Sequence, residues 1–211
     1  MTFPTRFMAG ICGLAASSHV LAGTWMFASL RPEYSHIRNT ISELGEYGDP
    51  LSPLVSFGFF LPVGVLVWLA LYLAYPFSSN DSLTSAGLLA FASLGFGYVM
   101  SAFFPCDPGS PLFGTWRQHA HNMAGFVEYL GSGTGLIIFG NVHMRAKLAI
   151  SGTLLILSGM AVIVCLVLMS VPELSSVRGL VQRGAEVIIF GWVTFASLEQ
   201  PCFRMFQRIY N

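Results

Sequence analysis

Charge is scarce in this 211-residue chain. Only 9% of its residues are Asp, Glu, Lys or Arg, against about 25% in ordinary soluble domains. Ten acidic and ten basic residues cancel to a net charge of zero. That leaves no basic stripe for nucleic acid. Cysteine is sparse too. Cys12, Cys106, Cys165 and Cys202 stand far apart with no CxxC pair, which argues against a zinc site or a disulfide framework. No internal repeat is visible, and no pattern names a metal or cofactor, so both stay unknown. What fills the chain is apolar: 54% of residues are hydrophobic and the mean hydropathy is +0.66. This composition belongs to the membrane class.

A spanning helix needs about 20 apolar residues. Six windows supply them: 7–30, 51–74, 84–104, 118–141, 148–171 and 178–199. Lipid requires every backbone polar group to be paired internally. The expected fold is therefore all-α, a polytopic membrane protein. It is a single-domain bundle of six transmembrane helices with no obviously broken helix. Arg6 and the apolar run after it resemble a signal peptide with a site near Ala22. The run continues to Leu30, however, and so reads as a retained first span. The basic residues split evenly between the two sides. Arg183 falls inside a span and the acids crowd the side of residues 31–50, so the positive-inside rule puts both termini in the cytoplasm. The expected location is a bacterial inner membrane.

Small residues mark the packing faces. Gly125, Gly131, Gly133 and Gly135 in the fourth span, and Gly10, Gly13, Ala15, Ala16 and Ala22 in the first, permit close approach of helices or self-association. With no strand-to-helix turn nearby, these glycines do not form a phosphate loop.

Residues 31–50 form a polar island between apolar runs. They hold Glu33, Glu43, Glu46 and Asp49, with Arg31 and Arg38. Ile37, Ile41 and Leu44 recur at helical spacing. Thr40 and Glu43 match a capping box, and Gly45 and Gly48 supply stops. The expected element is a short amphipathic interfacial helix between spans 1 and 2. Glu43 reads either as a cap or as a carboxylate pointing, with Ser42, into a cavity. Asn39 can bond in either arrangement.

A second polar cluster runs from Cys106 to His121. Asp107, Pro108 and Gly109 are turn residues, so Asp107 is either a turn former or a carboxylate at the bundle mouth. Loop parity brings Asp107, Arg117 and His121 to the side of Ser42 and Glu43. His119 and His121 are about 200° apart on a helix, so only one faces inward. His121, Gly125 and Glu128 share a face. A mid-span carboxylate such as Glu128 is costly, and is a candidate either for function or for a structural hydrogen bond. His19 is also deep, with Glu128 as its candidate partner. In the last span Arg183 and Glu186 are spaced to pair. Alternatively, Arg183 with Gln182 holds a lipid phosphate. Arg204, Arg208, His143, Arg145 and Lys147 anchor the opposite side.

The string Asn39-Thr40-Ile41-Ser42-Glu43-Leu44-Gly45, with Gly48 and Pro50, resembles the signature of domain of unknown function 998. So do Phe104-Pro105-Cys106-Asp107-Pro108-Gly109, His121 with Gly125, and Gly179-Leu180-Val181-Gln182-Arg183. The resemblance covers almost the whole chain. It implies a small prokaryotic integral membrane protein with six spans, and no particular reaction. The segment Ile41 to Gly45 is similar, more weakly, to eukaryotic six-span proteins that act on or near lipids and glycolipid anchors.

Four functions fit these residues. The first is an intramembrane lipid hydrolase or transferase with Ser42, Glu43, Asp107 and His121 as catalytic candidates. A metal activating water is one variant of it, although a third inward histidine for a zinc site is missing. The second is a lipid-binding or membrane-organising protein using Asn39, Arg117, Gln182 and Arg183. The third is a proton-linked carrier built on His19 and Glu128. The weakest is a haem protein, since only His19 lies deep.

Overall fold

The computed structural model describes residues 3–77 and 81–210, and their side chains over 5–76 and 81–199. Cys202, Arg204 and Arg208 therefore lie outside the described side chains. The first span is α1, Phe3–Ser29. The second opens with α2, Ser52–Val55, passes through one π-helical turn, Ser56–Phe60, and continues as α3, Leu61–Ala74. The third is α4, Ser82–Phe91, and α5, Ser93–Phe103, meeting at a turn on Ala92. Then follow α6, Trp116–Arg145, α7, Ala149–Met169, and α8, Arg178–Tyr210.

Among the described residues, five stretches are long and apolar enough to cross a membrane: Thr5–Ser29, Ser52–Ala74, Ser82–Phe103, Trp116–Arg145 and Ala149–Met169. The sixth helix, α8, packs on α1 and α7. The order around the bundle follows the chain: α1 on α3, α3 on α5, α4 and α5 on α6, α6 on α7, α7 on α8, and α8 back on α1. Short connections favour this sequential ring. Large apolar side chains such as Leu21, Leu89, Ile150 and Val187 are exposed on its outside. Such a surface suits hydrocarbon rather than water.

Glycine sets the tightest helix contacts. A Cβ on Gly159 would run into the carbonyl oxygen of Gly133. One on Gly140 would lie 2.7 Å from that of Gly152. This pair of contacts brings α6 and α7 backbone to backbone. Gly135 and Gly131 do the same against α4 and the start of α5. Gly125 does not. Nothing lies within 4 Å of a Cβ placed there, so this glycine, expected to pack, opens onto free space instead.

Two spans are interrupted, against the expectation of unbroken helices. In the second, Pro62 has no N–H to give Gly58, four residues earlier, and the helix widens there into its π turn. His19 Nε2 donates to the Gly58 carbonyl oxygen at 3.0 Å. This corrects the expected His19–Glu128 pair. His19 serves a carbonyl that proline leaves short of a donor. In the third span, the turn at Ala92 presents a carbonyl that accepts from Trp68 Nε1 at 2.9 Å.

The short helix between spans 1 and 2 is a single 3-10 turn, Ser42–Gly45. It is shorter than the hydrophobic spacing predicts. Ile41, Glu43 and Leu44 are buried while Ile37 is exposed. The apolar side chains at 41 and 44 insert into the bundle end, which leaves no continuous apolar face reaching back to 37.

Candidate functional site

The polar island is held by its own carboxylate. Glu43 Oε1 accepts from the Thr40 backbone N–H at 2.8 Å and from the Thr40 hydroxyl at 3.0 Å. Glu43 Oε2 accepts from Asn39 Nδ2 at 2.6 Å. In return the Glu43 N–H donates to Thr40 Oγ1 at 3.3 Å. This is the capping box in reciprocal form. Arg31 ties down the following residues, donating to the Glu43 carbonyl at 2.7 Å and pairing with Asp49 at 2.7 Å.

The second cluster meets the first, as loop parity predicts. The Tyr47 N–H donates to the Cys106 carbonyl at 2.8 Å, and Cys106 Sγ to the Ser42 carbonyl at 3.3 Å. Burial pushes the Cys106 thiol up to about 12. The Asp107 side chain ties its loop to the start of α6. It accepts from the Thr115 N–H at 2.7 Å and the Thr115 hydroxyl at 2.8 Å, and pairs with Arg117 at 3.6 Å. The Thr115 N–H, then its hydroxyl and the Arg117 charge, hold the Asp107 carboxyl below the usual range. Arg117 itself lies flat over the Tyr47 ring, 3.5 Å from its centroid. Sequence reasoning missed Gln118, which is fully buried and accepts from the Asp107 N–H at 2.6 Å.

From α8, Gln182 Oε1 accepts from the Ile41 N–H at 2.6 Å. Arg183 donates to the Asn39 carbonyl at 2.8 Å, the Gly179 carbonyl at 3.0 Å and the Tyr34 hydroxyl at 2.5 Å. Burial, opposed by the Arg183 charge, raises the Tyr34 phenol to about 12. The expected Arg183–Glu186 ion pair is absent. The guanidinium reaches outward to the loop while Glu186 turns into the bundle. Arg178 donates to the Gly109 carbonyl at 2.7 Å and lies 3.8 Å from Glu43.

These loops roof a cavity of about 480 Å³ between α6, α7 and α8. Its lining mixes polar side chains, among them Thr40, Ser42, His121, Arg178 and Gln182, with apolar ones such as Leu112, Phe126, Leu166 and Met169. Gly125 lies on its wall, which explains the open space at that residue. His121 is buried and His119 exposed, in keeping with the helical spacing. The Phe104 carbonyl can only accept, so His121 Nδ1 donates to it at 2.8 Å and Nε2 is left with a free lone pair. Among the described residues, no group of three or more His, Cys, Asp and Glu assembles as a metal site.

Below the cavity, Glu128 and Glu186 meet at the centre of the ring. Glu186 accepts from Tyr129 at 2.6 Å and from Tyr98 at 3.0 Å. Both carboxyl groups line one small cavity there. Gly97 makes room, since a Cβ there would collide with the Glu128 carboxyl. Neither tyrosine carries a sequence signal beyond Tyr129 following Glu128.

An all-helical ring with an apolar outside and a polar site at one end defines a polytopic integral membrane protein. The chain belongs to the family described as "Protein of unknown function (DUF998)", whose signature matches residues 14–199. No curated protein and no solved structure matches it.

Proposed function

We propose that this protein binds a membrane lipid, or a lipid-like amphiphile, in the cavity between α6, α7 and α8. One observation carries the reading. The cavity of about 480 Å³ is lined both by polar groups, Arg178, Gln182 and Ser42, and by apolar ones, Phe126, Leu166 and Met169. A headgroup fits the first set and an acyl chain the second. Pockets of this kind bind through apolar walls and a few fixed polar groups. Arg178 rather than Arg183 or Arg117 is the headgroup contact, because it lines the cavity and those two do not. The test is native mass spectrometry of the detergent-purified protein. A lipid adduct that weakens in Arg178→Gln supports the reading, and a chain that carries no adduct opposes it.

A second reading, lipid hydrolysis, is favoured by the free Nε2 of His121 on the same cavity as the Ser42 hydroxyl. Here Ser42 is the nucleophile and His121 its base, while Glu43 and Asp107 hold the loops. A hydrolase forms an adduct on Ser42 with a fluorophosphonate, and His121→Ala removes it. A pure binding protein does not react.

The membrane in this reading is a bacterial inner membrane with both termini cytoplasmic, in line with the distribution of basic residues. Self-association falls to the outer face of α8 at Gly184 and Gly191, where a Cβ meets nothing within 4 Å.

A further inference from the structure

The mechanism of binding makes no use of the two carboxyl groups at the centre of the ring. Glu128 and Glu186 are each only 5% exposed, yet both line one cavity of about 20 Å³. Two carboxyl groups sharing so small a site away from water are not both ionised, because like charges there repel at low dielectric. One of the two holds a proton. The donors around the pair identify where it resides. Glu186 already accepts from Tyr98 of α5 on Oε2 and from Tyr129 of α6 on Oε1. It is therefore the carboxylate, and Glu128 carries the proton.

Among the described residues no cation lines the pair's cavity. The groups facing it are Tyr98 and Ser101 from α5, Tyr129 from α6, Gln182 from α8 and Ser42 from the loop. Arg183, one turn from Glu186, is turned away to Asn39 and Tyr34. A second observation points to a mobile proton. The pair borders a cavity of about 20 Å³, which is room for one water at about 10–15 Å³ of such volume. Ser101 lines this cavity while nine-tenths buried, and its hydroxyl has no hydrogen-bond partner among the described residues. Ser42, Tyr129 and Gln182 line both this small cavity and the large one above it.

We propose that Glu128 and Glu186 form a one-proton site that exchanges protons with the large cavity by way of Tyr129 and the Ser42–Ser101–Gln182 wall. Uptake of a second proton converts Glu186 from an acceptor of two phenol hydrogen bonds into a donor. The Tyr129 hydroxyl then loses its strongest acceptor and turns to the cavity. Loss of the first proton places two anions in one small cavity among apolar helices, so the singly protonated pair is the resting state. The site can thus give a proton to, or take one from, whatever occupies the large cavity. The proton site stands whether that occupant is a lipid or not.

Infrared spectroscopy of the purified full chain in sodium-free buffer tests this through the carbonyl stretch of a protonated carboxylic acid. At neutral pH one such band per chain is expected, shifting on transfer to heavy water. Glu128→Gln should abolish it, because Glu186 keeps its phenol donors and stays ionised. Tyr129→Phe, which removes one of those donors, should move it, and serves as the second variant if Glu128→Gln fails to fold. A spectrum without the band at neutral pH overturns the proposal. So does a band that is indifferent to both variants, and so does one that disappears when sodium is added, which would mark a cation site instead.

Discussion

Arg183 on α8 donates to the carbonyl oxygen of Asn39 at 2.8 Å, across 144 positions of sequence. With Gln182 on the Ile41 N–H, this clamps the polar island onto the last helix and so forms the roof of the cavity. A hydrogen bond from a charged group is worth about 1.5–3 kcal/mol. Arg183→Ala should lower stability by about 2–3 kcal/mol, read as a fall in Tm in detergent. Arg183→Lys should recover only part of it, since an ammonium cannot serve the Asn39 carbonyl and the Tyr34 hydroxyl with a fixed fork.

Two glycines on the same pair of helices should respond in opposite ways. Gly159→Ala drives a Cβ into the Gly133 carbonyl and forces α6 and α7 apart, at about 1–3 kcal/mol. Gly125→Ala meets nothing, and alanine is the better helix former by about 0.8–1.0 kcal/mol. Thermal melts of the two variants in one detergent check the contrast.

The Cys106 thiol, raised to about 12 by burial, should not react with a maleimide at mildly alkaline pH while the chain is folded. A variant with Cys106 as its single cysteine isolates the signal. Labelling should begin only on denaturation.

Acid should loosen the loop of Asp107. Its folded carboxyl lies below the unfolded value of about 3.9. The cap therefore contributes at pH values above that and is lost as pH falls through the folded value. Fluorescence of Trp116, which packs edge-on to Phe104, should report the change, and Asp107→Asn should remove the step.

The helices were legible in the sequence because lipid demands long apolar runs, and these appear as composition. The capping box at Thr40 and Glu43 was legible because it is local. So was the choice of His121 over His119, which follows from helical rotation alone. The partners of His19 and Arg183 were not legible. His19 is claimed by a carbonyl that Pro62, on another helix, leaves short of a donor. Arg183 is claimed by backbone oxygens, which carry no residue type to read. Tyr98 and Tyr129 look like ordinary aromatic residues of a span until three helices bring them to Glu186. Gly125 resembles the packing glycines beside it, and only the neighbouring helices show that it faces a cavity.

Lipid binding is tested most directly at that glycine. Gly125→Leu places an isobutyl group in the cavity, one helical turn from His121, and leaves Arg178, Ser42 and His121 unsubstituted; Gly184→Leu makes the same exchange on the exposed face of α8. Native mass spectrometry of both, purified in parallel with the parent chain, compares the lipid adducts. Loss of the adduct in Gly125→Leu with retention in Gly184→Leu is the expected result. Retention of the adduct at parental stoichiometry in Gly125→Leu would contradict a lipid in the cavity.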